Sequence, residues 1–383
     1  MRTVMIVGAT GGMANYLIES LNKFNDERLE VVLVGRRYDE LEKIANINMI
    51  AADIAGTPHK FVPVQCDIST DKGIEELGGI IKEFEPEAVV NCTRAVSGVK
   101  YGQISVPNDI GYGCWVPFSM LLSYAVARAV RLSGREDDTY LINSSYSDAV
   151  CAILAKMDCA TPIAGIGNVF HVVPRIKKSI INLLGEDNFC PSCDTLEVFF
   201  ATSHHANTYI SREGQTRGSE VALEVYLNGT DITDKFTQEE IFKGCMIPVA
   251  EGAKRNIMAA ASTYRTLMEV LNPTTVMFHA PGVEGLVGGY PVRAVKEINE
   301  KTKLIPVMPN HTLAELIRVN KQSLAKDGIL EIGESETIFC PENQAKLREL
   351  IGYAPKTLPH DIESIREIVA RMRAALVSND FVK

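Results

Sequence analysis

The stretch LEVFFATSHHANTYISREG, residues 196–214, sets two histidines, His204 and His205, side by side where an apolar strand-like run gives out. The chain has seven histidines in 383 residues. Imidazole changes charge near neutral pH, so a histidine at the end of a strand is suited to passing a proton to or from a reacting oxygen. A second constellation lies near the start: Gly8-Ala9-Thr10-Gly11-Gly12-Met13-Ala14 joins the apolar run 4–7 to a segment carrying Ala14, Leu17, Ile18 and Leu21 at helical spacing. Gly8 permits a tight turn, Gly11 lets a pyrophosphate approach the backbone, and Ala14 lets the helix pack against the strand. Amides at the start of that helix then face the anion, with Thr10, Gly12 and Met13 in the same turn.

The elements that must hold these residues read as strands alternating with helices. The run LEVVLVGRR ends in Arg36 and Arg37, where a dinucleotide-binding unit places the residue that meets the adenosine ribose. Two guanidinium groups there suit a 2′-phosphate, which predicts NADP in preference to NAD. The run KFVPVQCDIS ends near Asp67, placed to edge the adenine, and EAVVNCTRA ends in Asn91, Cys92 and Thr93, placed on the nicotinamide side. TYLINSSYSDA ends in Asn143, Ser144 and Ser145. Ligands of such parallel sheets sit beyond the carboxyl ends of the strands, where all these residues fall. The expected fold class is α/β, a Rossmann-type doubly wound parallel sheet followed by an α+β domain. Residues 1–150 form the expected nucleotide-binding domain, 151–335 the substrate domain and 336–383 a helical extension. In the second half, Asn228-Gly229 reads as a hairpin turn.

Composition narrows the function. The net charge of −9, with no basic block, argues against nucleic-acid or anionic-membrane surfaces. The most apolar stretch, CWVPFSMLLSYAVARAV, meets Arg128 too early for a bilayer span, and Met1 runs almost directly into a strand, so neither a membrane segment nor a signal peptide is expected. Nine scattered cysteines suggest free thiols in a reducing, cytoplasmic compartment. Cys190 and Cys193 form a Cys-x-x-Cys pair, read as a loop with two free thiols, and no metal site is expected.

Over residues 3–300 the order of these features resembles the lactate/malate dehydrogenase superfamily. VGATGGMA resembles its glycine turn, INSSYSDAV stands where the family has Asn-Pro-Val-Asp, and GIGNVFHVVPRIK stands where it has an Asp-x-x-Arg pair on a helix. TSHHAN stands where it has Glu-His-Gly-Asp, and GLVGGYPVRAV resembles a late strand. The resemblance implies an NAD(P)-dependent oxidoreductase with a carbonyl or hydroxyl substrate. It places the catalytic histidine on His205, with His204 turned away if the strand continues. It places a carboxylate-gripping arginine on Arg175, with Arg94 as a second substrate contact, and implies a homodimer. The chain departs from the pattern at His171, which stands in place of the aspartate that would orient the histidine; Asp148 is the expected substitute. These departures point to a substrate that is larger than malate or lactate, that lacks an exposed carboxylate, or that is an imine rather than a ketone.

Two alternatives follow from the same residues. Family 4 glycosidases, which resemble this fold and use NAD with a divalent metal, carry a Cys-Asn pair where this chain keeps Asn168 after Gly167. A nucleotide-binding scaffold without turnover could instead engage a partner protein through the last amphipathic stretch, whose apolar face carries Ile362, Ile365, Val369, Met372 and Leu376.

Overall fold

The computed structural model describes residues 1–381 except 24–27, 58, 97, 186–194, 251, 275, 299 and 380, with 98–101 described in their backbone. The Cys190–Cys193 motif lies outside the described residues. The first half alternates β1 (Arg2–Val7), α1 (Gly12–Leu21), β2 (Leu29–Gly35), α2 (Tyr38–Ile54), β3 (Lys60–Gln65), α3 (Asp71–Phe84), β4 (Ala88–Asn91), α4 (Gly98–Ser105), α5 (Val116–Leu132), β5 (Tyr140–Asn143), α6 (Ser147–Leu154) and β6 (Ala164–Gly165). The second half continues with α7 (Val169–Leu183), β7 (Leu196–Ala201), α8 (His204–Glu213), β8 (Ala222–Leu227), β9 (Thr230–Asp231), α9 (Gln238–Lys243), α10 (Asn256–Leu271), β10 (Phe278–Pro281), β11 (Gly289–Val295), β12 (Lys303–Pro306) and α11 (Leu313–Lys326). It ends with β13 (Ile329–Ile332), β14 (Glu336–Phe339), α12 (Pro341–Ile351), β15 (Thr357–Pro359) and α13 (Ile362–Ser378).

Six parallel strands form one sheet in the order β3-β2-β1-β4-β5-β6. Val4, Met5, Ile6 and Val7 are buried because helices cover both faces, and this explains why β1 lacks the alternation of a half-exposed strand. Each such side chain contributes about 1.5–3 kcal/mol by leaving water. The order reverses between β1 and β4, the switch point at whose carboxyl ends sheets of this kind hold their ligands.

Beyond β6 the sheets are antiparallel: β7-β8-β9, β10-β11-β12 and β13-β14-β15. Asn228 and Gly229 turn β8 into β9 with φ of 52° and 76°, the left-handed pair the hairpin demands. The tail is more than helical. Glu336 opens a strand paired with both β13 and β15, so a boundary at 335 would cut a hairpin. Ile365, Val369, Met372 and Leu376 of α13 are buried in the core that also holds Leu77 of α3 and Val126 of α5. The apolar face offered by the last helix is therefore packed on the nucleotide-domain side of its own chain. Among the described residues one helical stretch, Tyr112–Leu132, is long and apolar enough to cross a bilayer, and 78% of its apolar window is buried inside the protein.

Candidate functional site

The glycine turn has the shape its sequence demands. Gly8 sits at φ +86°, and a Cβ there would lie 2.9 Å from Thr93 Cγ2 and 3.1 Å from the Cys92 carbonyl carbon. Gly8 N and Ala9 N both donate to the Val34 carbonyl, and Gly11 precedes α1 with no side-chain cap. The first amides of α1 thus lack the capping oxygen that a Ser or Asp would supply, as an anion cradle requires. A Cβ on Gly12 would meet Asn256 Nδ2 at 3.0 Å, so the start of α10 abuts the turn. Met13 Sδ accepts from Thr263 Oγ1 of the same helix at 3.8 Å. Thr10 is half-buried in the turn.

Around this turn the expected nucleotide contacts divide. Arg36 and Arg37 follow β2 and are exposed, but Arg37 Nη2 pairs with Glu40 at 2.5 Å. Asp67 Oδ1 accepts from Ser69 N, and hydrogen bonding to Ser69 holds its carboxyl below the usual range despite partial burial, with Arg36 adding to the effect. Asn91 and Asn143 require correction. Asn91 Nδ2 donates to Ser123 Oγ at 3.1 Å and to Asn143 Oδ1 at 3.0 Å, while its own Oδ1 accepts from Thr93 N and Oγ1. Asn143 Nδ2 donates to the Ser145 carbonyl. Both amides tie the ends of β4 and β5 together instead of facing the crevice. Burial pushes the Cys92 thiol up to about 12, so it is a neutral packing group. Ser145 is buried with its hydroxyl unpartnered.

The histidines lie across a cleft of about 710 Å³ whose walls include Tyr112, Asn168, His171, Arg175, His204, His205, Arg255 and Asp327. β7 stops at Ala201, and Ser203 is the extended residue before α8, so both histidines open a helix. The expectation that strand alternation turns His204 away is therefore overturned. His204 Nδ1 donates to Asp327 Oδ2 at 2.9 Å, and its ring lies 4.6 Å from that of Tyr112. Asp327 is 2% exposed. Its Oδ2 also accepts from the Tyr146 hydroxyl at 2.6 Å, and its Oδ1 accepts from Tyr112 N at 2.9 Å. Burial alone would lower the His204 pKa, but the Asp327 charge and hydrogen bond outweigh it and raise the value above the ordinary 6.5. Asp327 stays ionised: burial would raise it, and His204 with the hydrogen bonds pulls it down. His205 instead hydrogen-bonds Ser219 Oγ at 2.8 Å, and burial lowers its pKa.

Asp327 is the residue that sequence reasoning missed. It ends α11, where a turn at 111–113 clasps it: Gly113 N donates to its carbonyl at 2.8 Å, and a Cβ on Gly111 would lie 2.1 Å from that oxygen. Nothing local in LAKDGIL distinguishes it from a helix-ending turn. Asp148, the expected orienting acid, is fully buried and accepts from Asn168 Nδ2; burial raises its carboxyl to about 6. Arg94 lies behind Tyr112, donating to the Ser144 carbonyl at 2.9 Å, and does not line the cleft. Arg175 does line it, though its Nη1 donates to the carbonyls of Cys245 and Ile247. His171, one turn before Arg175 on α7, has a buried and unpartnered Nε2, and burial drags its pKa to about 4. Tyr146 and Asn168, the residues before α6 and α7, hold φ of 42° and 48°, and such non-glycine strain of about 1–3 kcal/mol gathers at functional sites. Among the described residues no three His, Cys, Asp or Glu side chains converge to hold a metal.

The turn and the cleft adjoin. Thr93 touches Gly8, its neighbour Arg94 lies against Tyr112, and Tyr112 lies against His204. On the other wall Asn256 meets Gly12 while Arg255 and Met258 line the cleft. Solved structures share this fold. Malate dehydrogenase of Plasmodium falciparum aligns over 85% of this chain and 96% of its own, at a TM-score of 0.54 and 14% identity. The fold is that of the malate and lactate dehydrogenases. Lactate dehydrogenase of Cryptosporidium parvum, complexed with lactic acid and nicotinamide adenine dinucleotide, aligns over 85% of this chain and 95% of its own, at a TM-score of 0.54 and 14% identity. The malate dehydrogenase of the same organism aligns with a TM-score of 0.52 and 14% identity, over 85% and 96% of the two chains. No protein-family model and no curated protein sequence matches the chain. The malate and lactate dehydrogenase fold, expected from the order of motifs, is thus present.

Proposed function

We propose that this protein is a nicotinamide-nucleotide-dependent oxidoreductase acting on a carbonyl or hydroxyl substrate in the cleft, with His204 as proton donor and acceptor. The observation that carries the reading is the His204–Asp327 pair, held in one geometry by Tyr146 and the Tyr112 amide, next to an uncapped glycine turn. The turn fits a dinucleotide: Gly8 and Gly11 keep its floor free of side chains, and no side chain caps the first amides of α1. A nicotinamide nucleotide bound there would supply or accept the hydride. The lactate dehydrogenase neighbour holds nicotinamide adenine dinucleotide, which favours a cofactor of that class. Arg36 and Arg37 favour its 2′-phosphorylated form, with Glu40 as the competing partner for Arg37.

Asp327 fixes the Nδ1–H tautomer, so Nε2 is the nitrogen left for substrate, with Thr208 Oγ1 at 3.3 Å as its resting partner. Because Asp327 raises the His204 pKa, the imidazolium persists to higher pH than a free histidine would allow. It donates to the oxygen of a carbonyl during reduction, and the neutral ring takes the proton back during oxidation. Exchanging His204 for Gln and measuring turnover with a carbonyl substrate tests this. A loss of about 10²–10⁴-fold is expected for a positioned acid–base group. Unchanged turnover would remove His204 from the chemistry. Replacing Arg36 and Arg37 together with Gln is expected to weaken NADP binding about tenfold, or ~1.4 kcal/mol, and to leave NAD binding as it was. Equal loss for both cofactors would remove the 2′-phosphate assignment.

A further inference from the structure

Gly111-Tyr112-Gly113 is a segment in which only the middle residue has room for a side chain. A Cβ on Gly111 would lie 2.1 Å from the Asp327 carbonyl oxygen, and one on Gly113 would lie 2.7 Å from it. Both glycines serve the clasp on Asp327, and so does the amide of Tyr112, which donates to Asp327 Oδ1. The clasp makes no demand on the Tyr112 side chain, since every residue but proline has that amide. The side chain nevertheless has a fixed place on the cleft wall. Its ring centroid lies 4.6 Å from that of His204 at an interplanar angle of 41°, and 5.1 Å from that of Tyr146. Tyr146 meets His204 edge-on, at 5.6 Å and 81°. Arg94 hydrogen-bonds the Tyr112 hydroxyl and the Ser144 carbonyl, which anchors the far end of the Tyr112 ring just past β5. Burial pushes the Tyr112 pKa up, so the ring is a neutral phenol with an electron-rich face.

The charges that reach His204 come from several elements. Burial opposes its imidazolium most; Asp327 at the end of α11 and Asp148 on α6 favour it, and Arg212 on α8 opposes it. Burial pushes the neighbouring His171 and His205 down, so both stay neutral. A buried cation bonded to one carboxylate still lacks water on the faces of its ring. An aromatic face replaces part of that solvation, because its quadrupole attracts a cation lying over it. We propose that Tyr112 is the positioning residue of the acid–base pair: its ring solvates one face of the His204 imidazolium and holds the imidazole plane so that Nε2 stays toward Thr208. Arg94 acts at one remove, by holding the tyrosine. The role rests on the reading of His204 as the acid–base group and adds what keeps that ring charged and oriented.

The test labels the full chain with ¹³C-histidine and follows its seven ring Cε1–H resonances through pH by NMR, with His204 assigned by its loss in His204→Gln. No substrate enters the measurement, so a failure of this role is read from the titration and a failure of the acid–base reading from the turnover of His204→Gln. Tyr112→Leu keeps an apolar side chain and the amide to Asp327 but removes the aromatic face. It is expected to lower the His204 midpoint by about one pH unit. Tyr112→Met, which fills more of the ring's volume, is expected to follow it and carries the comparison if Tyr112→Leu does not fold. Tyr112→Phe keeps the face and is expected to titrate close to the parent. An unmoved midpoint without the aromatic face would overturn the proposal. So would a midpoint that rises, because the ring would then act only as a cover whose removal relieves burial. An equal fall in Tyr112→Phe would hand the effect to the hydroxyl and Arg94, and would overturn the assignment to the ring.

Discussion

Asn91, Asn143 and Ser123 beneath the sheet's carboxyl edge, and Asp327, Tyr146 and His204 at the cleft, are both buried polar networks, but only the first closes on itself. Asn91 uses its donor and acceptor within hydrogen-bond range of Ser123, Asn143 and Thr93. The second network is saturated at Asp327 and open at its far end. His204 Nε2 has Thr208 alone, and His171 Nε2, Asn207 Oδ1, Asp148 Oδ1 and Ser203 Oγ have no partner. An unmet buried polar group costs about 1–3 kcal/mol, so a protein keeps several together only where something else offsets the loss. The closed network therefore reads as architecture and the open one as a place for substrate.

The largest effect that separates the two networks is on turnover. His204→Gln should abolish most of it, as above, counted per folded molecule, because Gln donates a hydrogen bond to Asp327 but supplies no counter-charge. Next comes Asp327→Asn, which leaves His204 without its counter-charge. Breaking a buried pair of this kind costs about 3–5 kcal/mol, read as a lower denaturation midpoint. The pH dependence carries a sign. The His204 pKa is raised in the folded protein, so its stabilisation is complete below 6.5 and is lost as pH rises through the raised value. Asp327 is depressed, so its share is present above 3.8 and lost as pH falls through the lowered value. Asp327→Asn should flatten both limbs and move the loss of reductive turnover to lower pH. A stability profile identical to the parent would break the assignment of the pair.

Asn91→Ala should do the opposite of His204→Gln. It should lower stability by about 1–3 kcal/mol, through the stranded amide of Asn143, with turnover per folded molecule little changed. A selective loss of turnover would erase the contrast between the networks. The smallest effect is reserved for the other histidine. Ser219→Ala removes one hydrogen bond from His205 and should change turnover by no more than about 1 kcal/mol, or a few-fold. A loss matching that of His204→Gln would hand the role to His205.

What the sequence made legible follows from distance along the chain. The glycine turn, the strand order's raw material and the Asn228-Gly229 hairpin depend on neighbours, so spacing alone carries them. The tail's last helix showed its apolar face in its pattern, and that face packs against α5. The location of the histidines was legible, but their partners were not. His204 and Asp327 are 123 residues apart, and the acid sits in a stretch that looks like an ordinary helix end. Ser203 ahead of two histidines and a helical run was a start signal; reading the strand past Thr202 assigned the wrong orientation to His204. The inward turn of Asn91 and Asn143 depends on strands meeting in register, which no local pattern reveals.

The clasp of residues 111–113 around Asp327 has a consequence for biosynthesis. A ribosome releases the nucleotide-binding strands and both histidines well before the last turn of α11. Until that turn emerges, Tyr146 and His204 have no acid to settle against, and the 111–113 segment has nothing to grip. A growing chain therefore carries His204 long before its acid partner exists, and the pair forms late, when one carboxylate docks.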